Sequence, residues 1–386
     1  MNRIYVVKDK ITPAGVGSRS LRAAAQALLA GVALTASLGV ASAESKMDAA
    51  KAFIAEHKTV SPFVAPGPAF DAKKCAEGKK MVSLPLSTTI PYSMTTNKAM
   101  AAAAGKVGLG YSTWENQLKV DQWIAGINNA VGQKDTLINL WSGINPDVLG
   151  PQIAEAKKAG LKVVSTDTYD VTQTPSAAVD NAARSNHTLA AKLLANWAYV
   201  RTDGKPDVII VGSDEITATK PMVAAIKDTL KELCPECKAQ YLNVPAPEWG
   251  TKIQPGVQAM LVADPNINFV LPIYDSMAQF VIPALRLTNR IDTVKIAGGD
   301  GTPFVIDLVR TGQVDMDVGS SLGWIGYAGL DAALRVMCGL APVHDLNTPM
   351  VVFDKTNAEM AGVPATYDKG YGDAYVAGFE KLWGLK

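Results

Sequence analysis

Three histidines are spread through the chain, His57, His187 and His344, and none stands at a spacing that holds a metal or serves a nucleophile. HExxH, GxSxG and P-loop patterns are absent, and Gly298-Gly299-Asp300-Gly301 lacks the GxGxxG spacing that seats a pyrophosphate. Cys234-Pro235-Glu236-Cys237 would read as redox-active or as half a zinc site in a reducing compartment, but no second CxxC or neighbouring histidine accompanies it. What remains are groups that bind rather than react, carboxylates and aromatic rings that stand after short apolar runs. Such acids accept hydrogen bonds from hydroxyl or amine groups, and rings cover apolar faces. The expectation is therefore a binding protein, not an enzyme, with no cofactor and no metal assigned.

These residues follow short apolar runs, so the elements that position them are strand ends. From Met81 onward such runs alternate with amphipathic stretches, the pattern of βαβ units and a parallel sheet. Strands are predicted over 81–86, 107–111, 137–141, 162–165, 207–211, 239–244, 269–273 and 294–298. A helix over 147–159 is framed by Asn145-Pro146 at its start and Gly160 at its end. Further helices are predicted from about Asn186 and over 325–338. Between Tyr169 and Ala182, Thr, Pro, Ser and Asn replace apolar periodicity, which suggests the first crossing between two domains. Residues 44–79, with Pro62, Pro66 and Pro68, suggest an N-terminal helix followed by an extended arm.

The start of the chain speaks to compartment. Arg3, Lys8, Lys10, Arg19 and Arg22 precede an uncharged run from Ala23 to Ala43 that closes on Ala41-Ser42-Ala43, the layout of a cleavable signal peptide over 1–43. Losing five bases and one acid with it takes the formal charge from +1 to −3. A mildly acidic remainder without a basic run has no footprint for nucleic acid, and no second apolar segment is long enough to span a bilayer. An exported chain also favours disulfides. Four cysteines allow three pairings; the local Cys234–Cys237 bridge is favoured, which leaves Cys75 with Cys338.

The order of an export signal, a first strand running into Ser87-Thr88-Thr89-Ile90-Pro91-Tyr92, then Ser165-Thr166-Asp167 and later Gly298-Gly299-Asp300-Gly301-Thr302-Pro303 resembles the type I, ribose-type periplasmic sugar-binding proteins of ABC importers. The resemblance implies an α/β fold of two Rossmann-like lobes, parallel sheets flanked by helices, joined by a three-strand hinge that closes on a sugar or sugar-like ligand. Carried over, lobe one takes 80–181 and 322–350, and lobe two takes 182–321 and 351–386. The implied ligand set is Tyr92, Trp141, Asp167, Thr168 and Tyr169 from lobe one, with Lys220, Trp249, Tyr274, Asp300 and Ser320 from lobe two. The partners it implies are an ABC permease and, as an alternative, a chemoreceptor or sensor kinase, with the protein a monomer in the periplasm.

This sequence departs from that pattern. The Arg that commonly follows the family's Asp is Thr168, and Lys220 stands near a usual Arg. The cleft is thus expected to be poor in amides and rich in rings, which would also suit an aryl-bearing or aromatic compound. Each residue has a plainer role open to it: a ring at a strand end packs a core as readily as it stacks on ligand, Asp300 can cap the helix at Thr302-Pro303, and Lys220 can be a solvated charge.

Overall fold

Continuous apolar strands need both faces covered, and the chain provides this twice. The computed structural model describes residues 44–386 except Gly143 and Asp368; the signal-peptide segment 1–43 lies outside the described residues. Residues 49–386 form one compact unit. Within it, β1 (Lys80–Pro85), β2 (Gly110–Thr113), β3 (Leu137–Trp141), β4 (Lys162–Asp170) and β5 (Asn181–Ser185) make a five-stranded sheet in the order β2-β1-β3-β4-β5. All its pairings are parallel. A second sheet takes β6 (Asp207–Gly212), β7 (Lys238–Asn243), β8 (Phe269–Pro272), β9 (Lys295–Asp300), β10 (Met316–Ser320) and β11 (Met350–Asp354) in the order β11-β10-β9-β8-β6-β7. Only β11 runs antiparallel, against β10. The expected pair of Rossmann-like sheets is what the chain forms.

Several boundaries differ from the sequence reading for identifiable reasons. Val107 ends the helix Pro91–Val107 instead of opening a strand, because Gly108 takes the left-handed conformation (φ 75°) and its N–H closes the helix on Ala104 and Gly105 carbonyls. The helix expected over 147–159 begins as a 3-10 turn, Pro146–Leu149, before Gly150–Lys158. Strand β5, whose Asn-Ala-Ala-Arg-Ser sequence has no β-branched residue, pairs with β4. The chain therefore leaves the first sheet at Ser185 and not within 169–182.

The C-terminal helix Ala374–Leu382, placed with the second lobe by the sequence reading, packs instead on the helix Leu322–Met337 beside the first sheet. Tyr375, Phe379, Leu382 and Trp383 share one core with Trp324, Tyr327, Leu137 and Trp141. The extended arm is sewn into the same surface. Phe63 stacks edge-on to Phe379, and the N–H groups of Phe70 and Ala72 donate to the Leu382 and Trp383 carbonyls. Two disulfides form, Cys75–Cys338 and Cys234–Cys237, as the cysteine arithmetic favoured. The first closes a loop across a sequence separation of 263 residues.

Candidate functional site

Parallel strands end with loops and helix starts at one edge, and ligands of such sheets sit outside those carboxyl ends. Here the strand ends of both sheets line one cavity with about 500 Å³ of space including its mouth. The first sheet contributes Leu86, Ile90, Tyr92 and Ser93 after β1, Ser142 after β3, Asp167 and Thr168 from β4, and His187 after β5. The second contributes Ile216 and Ala218 after β6, Trp249 after β7, Tyr274 and Ser276 after β8, and Asp300 at the end of β9. Ser320, at the end of β10, lines an adjoining recess shared with Tyr92, Asp167, His187 and Asp300.

Three of these residues hold backbone conformations that L side chains rarely adopt: Ser142 (φ 56°), Asp167 (φ 57°) and Asp300 (φ 148°). Strain of this kind costs on the order of 1–3 kcal/mol each and concentrates where a structure aims side chains at a ligand. At Asp167 it interrupts the register between β4 and β5, which shifts between Thr166 and Asp170, and the carboxylate sits inside the cavity. Tyr92 donates its phenol to Asp167 Oδ2 at 2.6 Å, Ser185 donates to Oδ1, and His187 Nε2 lies 3.5 Å from Oδ1. Burial, then the charges of Asp167 and Asp300, push the Tyr92 phenol well above its ordinary value, so it stays a donor.

On the opposite wall Trp249 stacks against Tyr274, with centroids 6.3 Å apart and an interplanar angle of 19°. Both rings are pinned by their polar tips: Trp249 Nε1 donates to Ser213 Oγ at 2.7 Å, and Tyr274 Oη shares a hydrogen bond with Thr219 Oγ1 at 2.8 Å. Asp300 accepts from the backbone N–H of Asp275 at 3.0 Å. Asp275 in turn accepts from Thr302 N at 2.7 Å and from the Thr302 hydroxyl. Asp300 thus braces the Tyr274–Ser276 turn, while Asp275, not Asp300, holds the helix start at Thr302.

Behind Asp300 lies an unusual arrangement. Asp275 and Asp317 are fully buried, and Asp275 Oδ1 and both Asp317 oxygens have no donor from the protein. A proton shared between the two carboxyls gives Asp275 Oδ1 and one Asp317 oxygen a partner. Burial raises the Asp275 carboxyl to about 6, and burial with the Asp275 charge raises Asp317 well above the carboxylate range. The folded state thus holds protons that the unfolded chain gives up above about pH 4, so this contribution is full at low pH and lost as pH climbs through the folded values. As pH rises from about 4 through about 6 the protein is expected to lose melting temperature, and Asp317→Asn, which keeps a donor without the charge, should shrink that loss. An unchanged pH dependence in the variant would place the titration elsewhere.

Of the ten residues singled out from sequence, Tyr92, Asp167, Thr168, Trp249, Tyr274 and Asp300 meet in the cavity and Ser320 in its recess. Three do not. Trp141 is 1% exposed and packs inward against Gly329, because its position on β3 turns its side chain toward the helices and not the strand end. Tyr169 turns away to donate to Asn145 Oδ1 and accept from Ser176 N, bracing the β4–β5 connection. Lys220 is exposed on the helix Thr219–Leu233 and lines neither part of the cleft. His187, Ser142, Ser276 and the apolar Leu86, Ile90 and Ile216 were not foreseen. His187 was legible, since it directly follows Ser185-Asn186 where the helix opens. Among the described residues no group of three or more His, Cys, Asp or Glu side chains is arranged to hold a metal.

Two parallel α/β layers facing one strained, ring-lined cleft at their strand ends define a two-lobed solute-binding protein. The chain belongs to the periplasmic binding protein family, whose family model, described as a periplasmic binding protein domain, matches residues 81–341. It is 25% identical over 198 residues to a D-ribose/D-allose-binding protein of Pseudomonas aeruginosa, a match covering 50% of this chain and 54% of that protein. The chain thus spans about half the length of that relative. It is 23% identical over 271 residues to the ribose import binding protein RbsB of Salmonella typhimurium, covering 68% of this chain and 87% of the relative. Among solved structures it is similar to an ABC transporter solute-binding protein from Agrobacterium vitis with bound allitol. There the TM-score is 0.66 and the identity 19%, with 74% of this chain and 98% of that one covered.

Proposed function

We propose that this protein is the substrate-capturing component of an ABC importer, exported to the periplasm, which closes its two lobes on a sugar or sugar-like solute and presents the closed form to a permease. The observation that carries this reading is the opposed pair Asp167 and Asp300. One sits at the end of each sheet, on strained backbone, inside a single cavity beside stacked rings. A solute that bonds both acids at once stabilises the closed arrangement over the open one, and that differential is what drives closure. Similarity to ribose-binding proteins and to a structure holding a sugar alcohol supports a polyhydroxylated cargo.

The lobes meet this role with β1–β5 on one side of the cleft and β6–β11 on the other, and the chain crosses after Ser185, after Ser320, before Met350 and again before the helix Ala374–Leu382. The test is a thermal-shift screen of the chain from Glu44 onward against pentoses, hexoses and polyols, since a ligand that binds only the folded state raises its melting temperature. A hit without turnover is the expected result. For that hit, Asp300→Ala should weaken affinity at least about tenfold, roughly 1.4 kcal/mol, as read by calorimetry. No stabilisation by any saccharide, or chemical conversion of one, would overturn the reading.

A further inference from the structure

The charge inside the cleft is one-sided. Two carboxylates, Asp167 and Asp300, face it from opposite lobes, and none of the described residues lining the cavity or its recess is a lysine, arginine, asparagine or glutamine. Lys220, the cation that the sequence offered, is on the outer surface. The imidazole of His187 lies 3.5 Å from Asp167 Oδ1, the oxygen that Ser185 already serves. Asp300 has a single donor, the Asp275 N–H on Oδ2. The remaining polar groups of the lining are hydroxyls, and the rest of the wall is apolar or aromatic.

Neutral sugars are commonly held by sites that mix acids, amides and bases, because each hydroxyl both donates and accepts. A lining whose polar groups are acids, hydroxyls and one imidazole already beside Asp167 has acceptors in excess and no fixed positive charge. Such a site selects a ligand that is rich in donors and brings the missing charge with it. An ammonium group carries three donors and no acceptor, and hydrogen bonds between ionised partners are about twice as strong as neutral ones. Resting on the solute-capture reading above, we propose that the cargo is an aminated sugar or polyol whose protonated amino group sits between Asp167 and Asp300, with its carbon skeleton against Trp249 and Tyr274. Two further observations agree. Burial and the nearby charges of Asp275 and Asp167 hold the Asp300 carboxyl well above its ordinary value, as expected of an acid with no cation at hand. The stacked pair Trp249–Tyr274 also offers ring faces, which favour a cation or the positively polarised C–H bonds beside one.

The experiment is calorimetric titration of the disulfide-intact protein with matched triplets: D-glucosamine, D-glucose and N-acetyl-D-glucosamine, and the corresponding galactose and mannose sets. Acetylation removes the charge while keeping the nitrogen, so the triplet separates charge from shape without any substitution in the protein. At least one amino sugar is expected to bind ten times or more tightly than both its neutral partners. Asp300→Asn and Asp167→Asn, checked for unaltered circular dichroism, should bring that ratio to within about threefold. If neutral sugars bind as tightly as their amino counterparts, or the preference survives in both variants, the inference falls and the sugar-capture reading stands. If no member of any triplet binds, the inference falls, and the sugar-capture reading is decided by the wider screen of pentoses, hexoses and polyols.

Discussion

Asp331→Ala is expected to destabilise the protein by about 3–5 kcal/mol, the range for stripping one partner from a buried ion pair. Asp331 and Arg335 lie one helical turn apart with side chains 0% and 1% exposed, and Arg335 Nε donates to Asp331 Oδ2 at 2.7 Å. The other Asp331 oxygen accepts from Trp383 Nε1 at 2.9 Å, and the Arg335 fork reaches the Pro68 carbonyl at 3.1 Å while lying 5.0 Å over the Phe70 ring. One carboxylate thus joins the helix Leu322–Met337 to the C-terminal helix, and its arginine joins them to the arm. Alanine leaves the buried Arg335 Nε–H and the Trp383 indole N–H without their acceptors. The check is urea unfolding: the single variant should lose most of a typical domain's margin, whereas a double replacement, Asp331→Leu with Arg335→Met, should recover much of it. A loss below about 1 kcal/mol in the single variant would mean that water replaces the carboxylate.

A loss of about 2–5 kcal/mol is expected of Gly301→Ala, here with a loss of solute affinity. Gly301 has φ 76°, where an alanine costs roughly 1–2 kcal/mol, and overpacking adds about 1–3 kcal/mol more. Its added methyl would stand 2.1 Å from the Tyr371 hydroxyl and 2.7 Å from the Cα of Gly319. Part of that contact is backbone, so a rotamer change in Tyr371 cannot relieve it. Gly301 follows Asp300 and Gly319 precedes Ser320, so spreading this pair displaces the groups that the second sheet presents to the cleft and its recess. Melting temperature and affinity should fall together. Tyr371→Phe added to Gly301→Ala should restore only part of the stability, because the Gly319 contact remains. Full restoration would show that the hydroxyl alone set the constraint.

The alternation of apolar runs and amphipathic stretches was enough to place eight of the strands near their observed positions, since buried parallel strands announce themselves as short apolar runs. It also missed β11 (Met350–Asp354), although Val351-Val352-Phe353 is such a run, and it failed where side chains carry little such signal. In β5, Asn181–Ser185, and in β10, which holds Asp317 and Gly319, a buried acid and small residues stand where branched ones would be expected. The site was legible to the extent that strand ends were. Asp167, Asp300, Trp249 and Tyr274 could be found because they follow apolar runs. Trp141 misled because the last residue of a strand can face either layer, and only the pairing of β3 between β1 and β4 fixes which one. Tyr169 misled because β4 runs on to Asp170, which turns the residue toward its neighbouring loop. The lack of a cation in the cleft could not be read from the sequence, where Lys220 offered one; it needed the course of the helix Thr219–Leu233.

The Cys75–Cys338 bond gives the molecule a different topology from its fold. Every strand from β1 to β10 lies between those two residues, so the whole second layer up to Ser320 is an insertion inside one covalent ring. A protease that nicks a surface turn anywhere from residue 76 to residue 337 therefore frees nothing: the two pieces remain a single molecule until a reductant opens the ring. Threading through a narrow channel demands a linear chain, so the protein with this ring closed cannot pass one.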